Sequence, residues 1–218
     1  MIEPLVESTL KEIEYLYRKY SLEKRATTQP FILEVVKEQI AGYEYNPSDV
    51  LVRESLIEHS GSLPMVATAL FPHIDDEDVE LGKALTMLAI HDVGELAVGD
   101  QNVFTKEDDG VEEHEFALEF LDPIYHELYK EVEGQADRSK TAQFAKAVDK
   151  ITPDILDYLA PADVTIWRYK YFTDTEREGI VPLIRKYKRP YMLWNEFMTN
   201  FHDYLMEKLE KKIMKEAE

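Results

Sequence analysis

His91 and Asp92 close an apolar run, Leu85-Thr86-Met87-Leu88-Ala89-Ile90, where a charged doublet is costly to bury unless something neutralises or ligates it. Adjacent helical residues point about 100° apart, yet both side chains can reach one ion lying just off the helix. Glu95 follows His91 by four residues and so shares its face, and Asp100 stands just behind Gly99. One short segment therefore offers an imidazole and three carboxylates. Two further segments carry the same donor types: His59 in Arg53-Glu54-Ser55-Leu56-Ile57-Glu58-His59-Ser60, and Asp149 in Ala147-Val148-Asp149-Lys150-Ile151. Singly, each has an ordinary structural reading, His59 as a capping or packing residue and Asp149 as a surface acid. The sequence has no cysteine, so any metal here is held by imidazole nitrogen and carboxylate oxygen.

Helices must position these side chains, because helical periodicity dominates. Ile2, Leu5, Val6, Ile13, Leu16, Tyr17 and Tyr20 recur at spacings of three and four, which suits an amphipathic opening helix. A second helix is expected over Phe31 to Ile40, ending near Gly42, with Asn46-Pro47 confirming the break. Ser55 and Glu58 read as a capping box for a helix that carries His59. Pro64 lies where that helix should continue, so the helix is expected to bend or restart, with Ser62 capping a new one and His59 left on a turn. Asp75 to Asp78 mark the start that leads through Gly82 to His91-Asp92, and Gly99 ends that element. Glu112 to Tyr129 and Arg138 to Leu159 form further amphipathic stretches. Val164 to Phe172, rich in β-branched and aromatic residues, is ambiguous. The tail from Tyr191 repeats Trp194, Phe197, Phe201, Leu205, Leu209 and Ile213 before its closing lysines. No internal repeat or long linker divides the chain. The expected fold is all-α, one helical bundle over residues 1–218, with a motif-bearing core at about 53–157 and a helical extension at about 161–218.

Composition narrows the function. The 218 residues carry 44 acidic and 25 basic side chains, a net charge of −19. Such a surface repels a nucleic-acid polymer, whose binding rests on Lys and Arg neutralising phosphates. A small phosphorylated substrate is compatible, since a divalent ion can dominate its local field. The longest apolar run, Ala84 to Ile90, is too short to span a bilayer, and the acidic N-terminus lacks a basic-then-apolar signal segment. A cytoplasmic location without membrane attachment is expected. His73, His114, His126 and His202 read as structural or surface residues, although His114 leaves a second metal open. The basic cluster Arg185, Lys186, Lys188 and Arg189 reads as a solvated loop. The aromatic group Trp167, Tyr169, Tyr171 and Phe172 reads as core or as a subunit interface, which would make a homodimer.

In chain order the three segments read Glu-His-Ser, then His-Asp-x-x-Glu-x-x-x-Gly-Asp, then Val-Asp-Lys. This resembles the HD-domain superfamily of metal-dependent phosphohydrolases, and most of all its 5′-deoxynucleotidase branch. The matching blocks span about residues 53 to 157. The resemblance implies that His59, His91, Asp92 and Asp149 hold a divalent transition metal, that Glu95 orients or activates the attacking water, and that Asp100 contacts substrate or assists the leaving group. Mn²⁺, Co²⁺, Fe²⁺ and Zn²⁺ all suit such donors, Mg²⁺ less so. The implied reaction is hydrolysis of a small phosphomonoester, a nucleoside 5′-monophosphate first. Hydrolysis of a nucleoside triphosphate or cyclic nucleotide is the rival within the superfamily, and a non-catalytic nucleotide- or partner-binding module the rival outside it. One departure concerns phosphate binding: Gly42-Tyr43-Glu44-Tyr45-Asn46-Pro47 stands near where the nucleotidase branch carries a phosphate-binding arginine. Another cation is then needed, and Lys150, adjoining Asp149, and Lys106, following Asp100, are the candidates.

Overall fold

The computed structural model describes residues 4–11, 13–14, 56–98, 110–134, 138–160 and 162–215, and every regular element among them is helical. The expected helix at Phe31 to Ile40, and the residues Arg53, Asp100 and Lys106, lie outside the described residues. At the centre is α6 (Lys140–Leu159), capped by Ser139, whose Oγ accepts from the Ala142 amide at 3.1 Å. Its buried residues include Ala142, Phe144, Ala145, Ala147, Val148, Ile151 and Ile155. These occupy every side of the helix, because α1 (Leu56–Leu70), α2 (Leu81–Ile90), α5 (His126–Glu133) and α9 (Glu196–Lys215) all pack on it. The spacing of Ala84, Met87 and Leu88 turns α2 towards this core. Phe197, Phe201, Leu205, Leu209 and Ile213 do the same for α9, and one apolar cluster runs from Val6 to Ile213. Among the described residues no helix is long and apolar enough to cross a membrane.

Four local expectations change. The stretch from Glu112 to Tyr129 is two helices, α4 (Val111–Phe120) and α5, because Asp122 accepts from the Ile124 amide and caps a tight turn that starts at Pro123. α1 runs unbroken through Pro64, so His59 sits in its first turns and not on a separate turn. Ser62 does not cap a new helix; its hydroxyl donates back to the His59 carbonyl at 2.8 Å. The ambiguous segment is helix α7 (Ala162–Thr173), where Thr165 and Tyr169 are buried and both bond to Asp157. Packing overrides local propensity there.

The basic cluster also departs from a solvated loop. It ends α8 (Ile180–Lys188), and Lys188 is buried against Asp154 of α6, while Arg189 makes a two-pronged bond to Asp203 at 2.8 Å on each arm. His202, read from sequence as structural or surface, is fully buried beside the same cluster, 4.0 Å from Asp154 Oδ2. His73 bonds Thr9 at 2.9 Å and His126 bonds the Leu121 carbonyl at 3.0 Å, both structural roles.

Candidate metal centre

Three elements converge on one point. α1 delivers His59 and α6 delivers Asp149. The tight turn His91–Gly94, following directly on α2, delivers His91 and Asp92. Asp149 Oδ1 lies 3.4 Å from His59 Nε2 and 3.4 Å from His91 Nε2. Asp92 sets Oδ1 2.8 Å from His91 Nε2 and Oδ2 3.6 Å from His59 Nε2. Donor atoms of His59, His91 and Asp149 all fall within 4.8 Å of one another. Ligands about 2.0–2.2 Å from a shared ion stand roughly 3.0–3.5 Å apart, so these separations suit a single cation.

The donors are also oriented for one. His91 Nδ1 lies 2.9 Å from the Leu88 carbonyl, which can only accept, so Nδ1 carries the hydrogen and Nε2 turns towards Asp149. His91 is almost wholly buried, yet Nε2 has no hydrogen-bond partner; Asp92 Oδ1 is close but off the line a bond requires. A buried polar atom left this way normally costs about 1–3 kcal/mol, and a bound ion would satisfy it. Burial by itself would lower the His91 pKa, but the Asp149 and Asp92 carboxylates outweigh it and hold the ring at about 9. The pocket thus attracts positive charge, and a divalent ion would displace that proton on binding. Burial pushes Asp149 up, yet Lys150, Lys146 and His91 together keep it ionised, well below the usual carboxylate range. The donor set therefore fits a divalent metal.

Glu95 opens the short helix α3 (Glu95–Val98) half-buried, its backbone N–H bonded to the Asp92 and Val93 carbonyls. Lys150 places its Nζ 2.9 Å from Asp149 Oδ2. Asp100 and Lys106 lie outside the described residues. Sequence reasoning missed Lys146 and Glu133, which bond at 2.6 Å behind Asp149. The signal for Lys146 was a lysine set among Ala142, Ala145, Ala147 and Val148; Glu133 had none. Gly94 closes the ligand turn against α4, where a Cβ would stand 2.5 Å from the Glu113 carbonyl oxygen. Gly94→Ala should therefore push α4 off the turn, lowering stability by about 1–3 kcal/mol in a denaturant titration and weakening metal binding. Unchanged stability would show that α4 yields freely.

An all-helical bundle with two imidazoles and two carboxylates at one point defines a metal-binding helical protein. Residues 46–170, over half the chain, match the family model of the HD domain. The chain belongs to that family, as its motifs led us to expect. A predicted metal-dependent phosphohydrolase from Magnetospirillum magnetotacticum MS-1 has a similar crystal structure: TM-score 0.50, 24% identity, over 72% of this chain and 79% of that one. At that identity the likeness speaks for the fold. No curated protein matches the sequence. None of these findings bears on the 5′-deoxynucleotidase branch.

Proposed function

We propose that this protein hydrolyses a small phosphomonoester, a nucleoside 5′-monophosphate in the first instance. The observation that carries the reading is the meeting of His59, His91 and Asp149 donors within 4.8 Å, with Asp92 against both imidazoles. A divalent ion bound there supplies Lewis acidity towards water and towards a phosphate oxygen. His59, His91, Asp92 and Asp149 would hold it. Glu95, one turn beyond His91, takes the proton of the attacking water, and Asp100 assists the leaving group. The choice of a nucleoside monophosphate is supported by the likeness of the His-Asp-x-x-Glu-x-x-x-Gly-Asp block to the nucleotidase branch. A net charge of −19 favours a small substrate over a nucleic-acid polymer.

Phosphate release from nucleoside 5′-mono- and triphosphates, cyclic nucleotides and sugar phosphates, with Mn²⁺, Co²⁺, Fe²⁺ or Zn²⁺, tests the reading. Monophosphates should be cleaved, chelator should abolish turnover and added metal should restore it. Preference for triphosphates or cyclic nucleotides would move the protein to another branch. Metal bound without any turnover would make it a binding module.

Lys150 is our first candidate for holding the phosphate, because its ammonium stands beside the ligand Asp149 with the side chain partly exposed, and a dianion needs a cation besides the metal. Lys150→Ala should cost roughly 1.5–3 kcal/mol in kcat/KM, with a smaller change in metal affinity. Lys106→Ala tests the second candidate by the same kinetics. Wild-type values for both variants would leave the metal as sole anchor.

A further inference from the structure

Two lysines converge on one oxygen of Asp149, and their settings differ. Lys150 Nζ reaches Oδ2 at 2.9 Å with its side chain 23% exposed. Lys146, one turn earlier on α6, places Nζ 3.4 Å from the same Oδ2 and 2.6 Å from Glu133 Oε1, with its side chain 10% exposed. A buried ammonium is costly unless paired. Glu133 alone would pair it, so its second approach, to the outer oxygen of Asp149, has a consequence for the site. With Oδ2 held from behind by a cation fixed at both ends, the carboxylate cannot rotate freely. Oδ1 is left facing both imidazoles at 3.4 Å each. Glu133 belongs to α5, so the seating of α5 on α6 also sets the aim of Asp149.

We infer that Lys146, clamped by Glu133, is a positioning residue that fixes Asp149 to offer one oxygen to the metal, leaving the more exposed Lys150 to meet substrate. This rests on the metal-binding reading above. Partners that hold a ligand from behind typically contribute 10–100-fold to metal affinity. Titration of the full-length protein with Co²⁺, followed by its visible absorption, tests the inference on wild type, Lys146→Met and Glu133→Gln. Wild type should bind the ion with a defined spectrum. Lys146→Met should bind roughly 10–100-fold more weakly, with an altered absorption envelope because Asp149 no longer approaches in one pose. Glu133→Gln should change both in the same direction but less. A folded Lys146→Met with wild-type affinity and spectrum overturns the inference while the metal site stands. Should Lys146→Met fail to fold, Glu133→Gln decides, and unchanged binding there overturns it. A wild type that takes up no Co²⁺ removes the metal reading itself, and this inference with it.

Discussion

Asp92→Ala should lose the divalent ion and phosphohydrolase activity together, whereas Glu95→Ala should keep the ion and lose turnover. The contrast follows from position. Asp92 places one oxygen 2.8 Å from His91 Nε2 and the other 3.6 Å from His59 Nε2, within the donor cluster. Glu95 starts the next helix, beyond the turn that carries the ligands. Removing a donor from a four-residue set weakens the ion and takes away one of the two carboxylates that face both His59 and His91. Removing a general base costs about 10²–10⁴-fold in rate and leaves the donors in place. Metal content after gel filtration, measured beside kcat for each variant, separates the two. Equal metal loss in both variants would make Glu95 a ligand and reverse our assignment.

The second large effect lies away from the metal. Lys188→Met should destabilise the protein by about 1–2 kcal/mol at neutral pH, because it leaves the fully buried Asp154 carboxylate without its ammonium partner. Burial already raises Asp154 to about 6, with Lys188 the chief opposing influence. Around it stand Asp157, Arg168 and Tyr169 from α6 and α7, Lys188 from α8 and His202 from α9. His202 is lowered to about 4, chiefly by its own burial.

The pH dependence has a definite sign. A carboxyl whose folded pKa exceeds its unfolded value holds its proton more tightly when folded, so its destabilising effect is absent below about pH 4 and complete above the folded pKa. Loss of Lys188 raises that folded pKa further. The deficit of Lys188→Met relative to wild type should therefore be small near pH 5, where Asp154 is largely protonated in both, and should grow towards pH 7. Replacing both partners, Lys188→Met with Asp154→Leu, should recover most of the lost stability, since no buried charge is then left alone. Denaturant titrations at pH 5 and pH 7 read both effects. A deficit that is equal at the two pH values, or a double variant no better than the single, would refute this account.

Much of the site was legible in the chain because its chemistry is local. His91, Asp92 and Glu95 lie within five consecutive residues at a helix end, and the lack of cysteine limits the donors to nitrogen and oxygen. The apolar spacings of three and four in α2 and α9 announced helices with one buried face, and both are found. What the tertiary structure decided was the fate of charges on a helix with no solvent face. Periodicity cannot mark the core side of α6, because α1, α2, α5 and α9 surround it; Asp149 and Asp154 look like surface acids in sequence and are buried in the fold. Their neutralising partners come from elsewhere: Glu133 lies 13 residues from Lys146, and Lys188 lies 34 from Asp154. Pro64 and the Asp122-Pro123 pair differ for the same reason. A proline within a helix is tolerated where the core holds both flanks of α1, as Leu63, Val66 and Ala67 do, whereas the exposed Pro123 has no such support and the chain turns. Donor types and local spacing belong to the sequence. Which charges are buried, and what compensates them, depends on contacts between helices that only the folded chain makes.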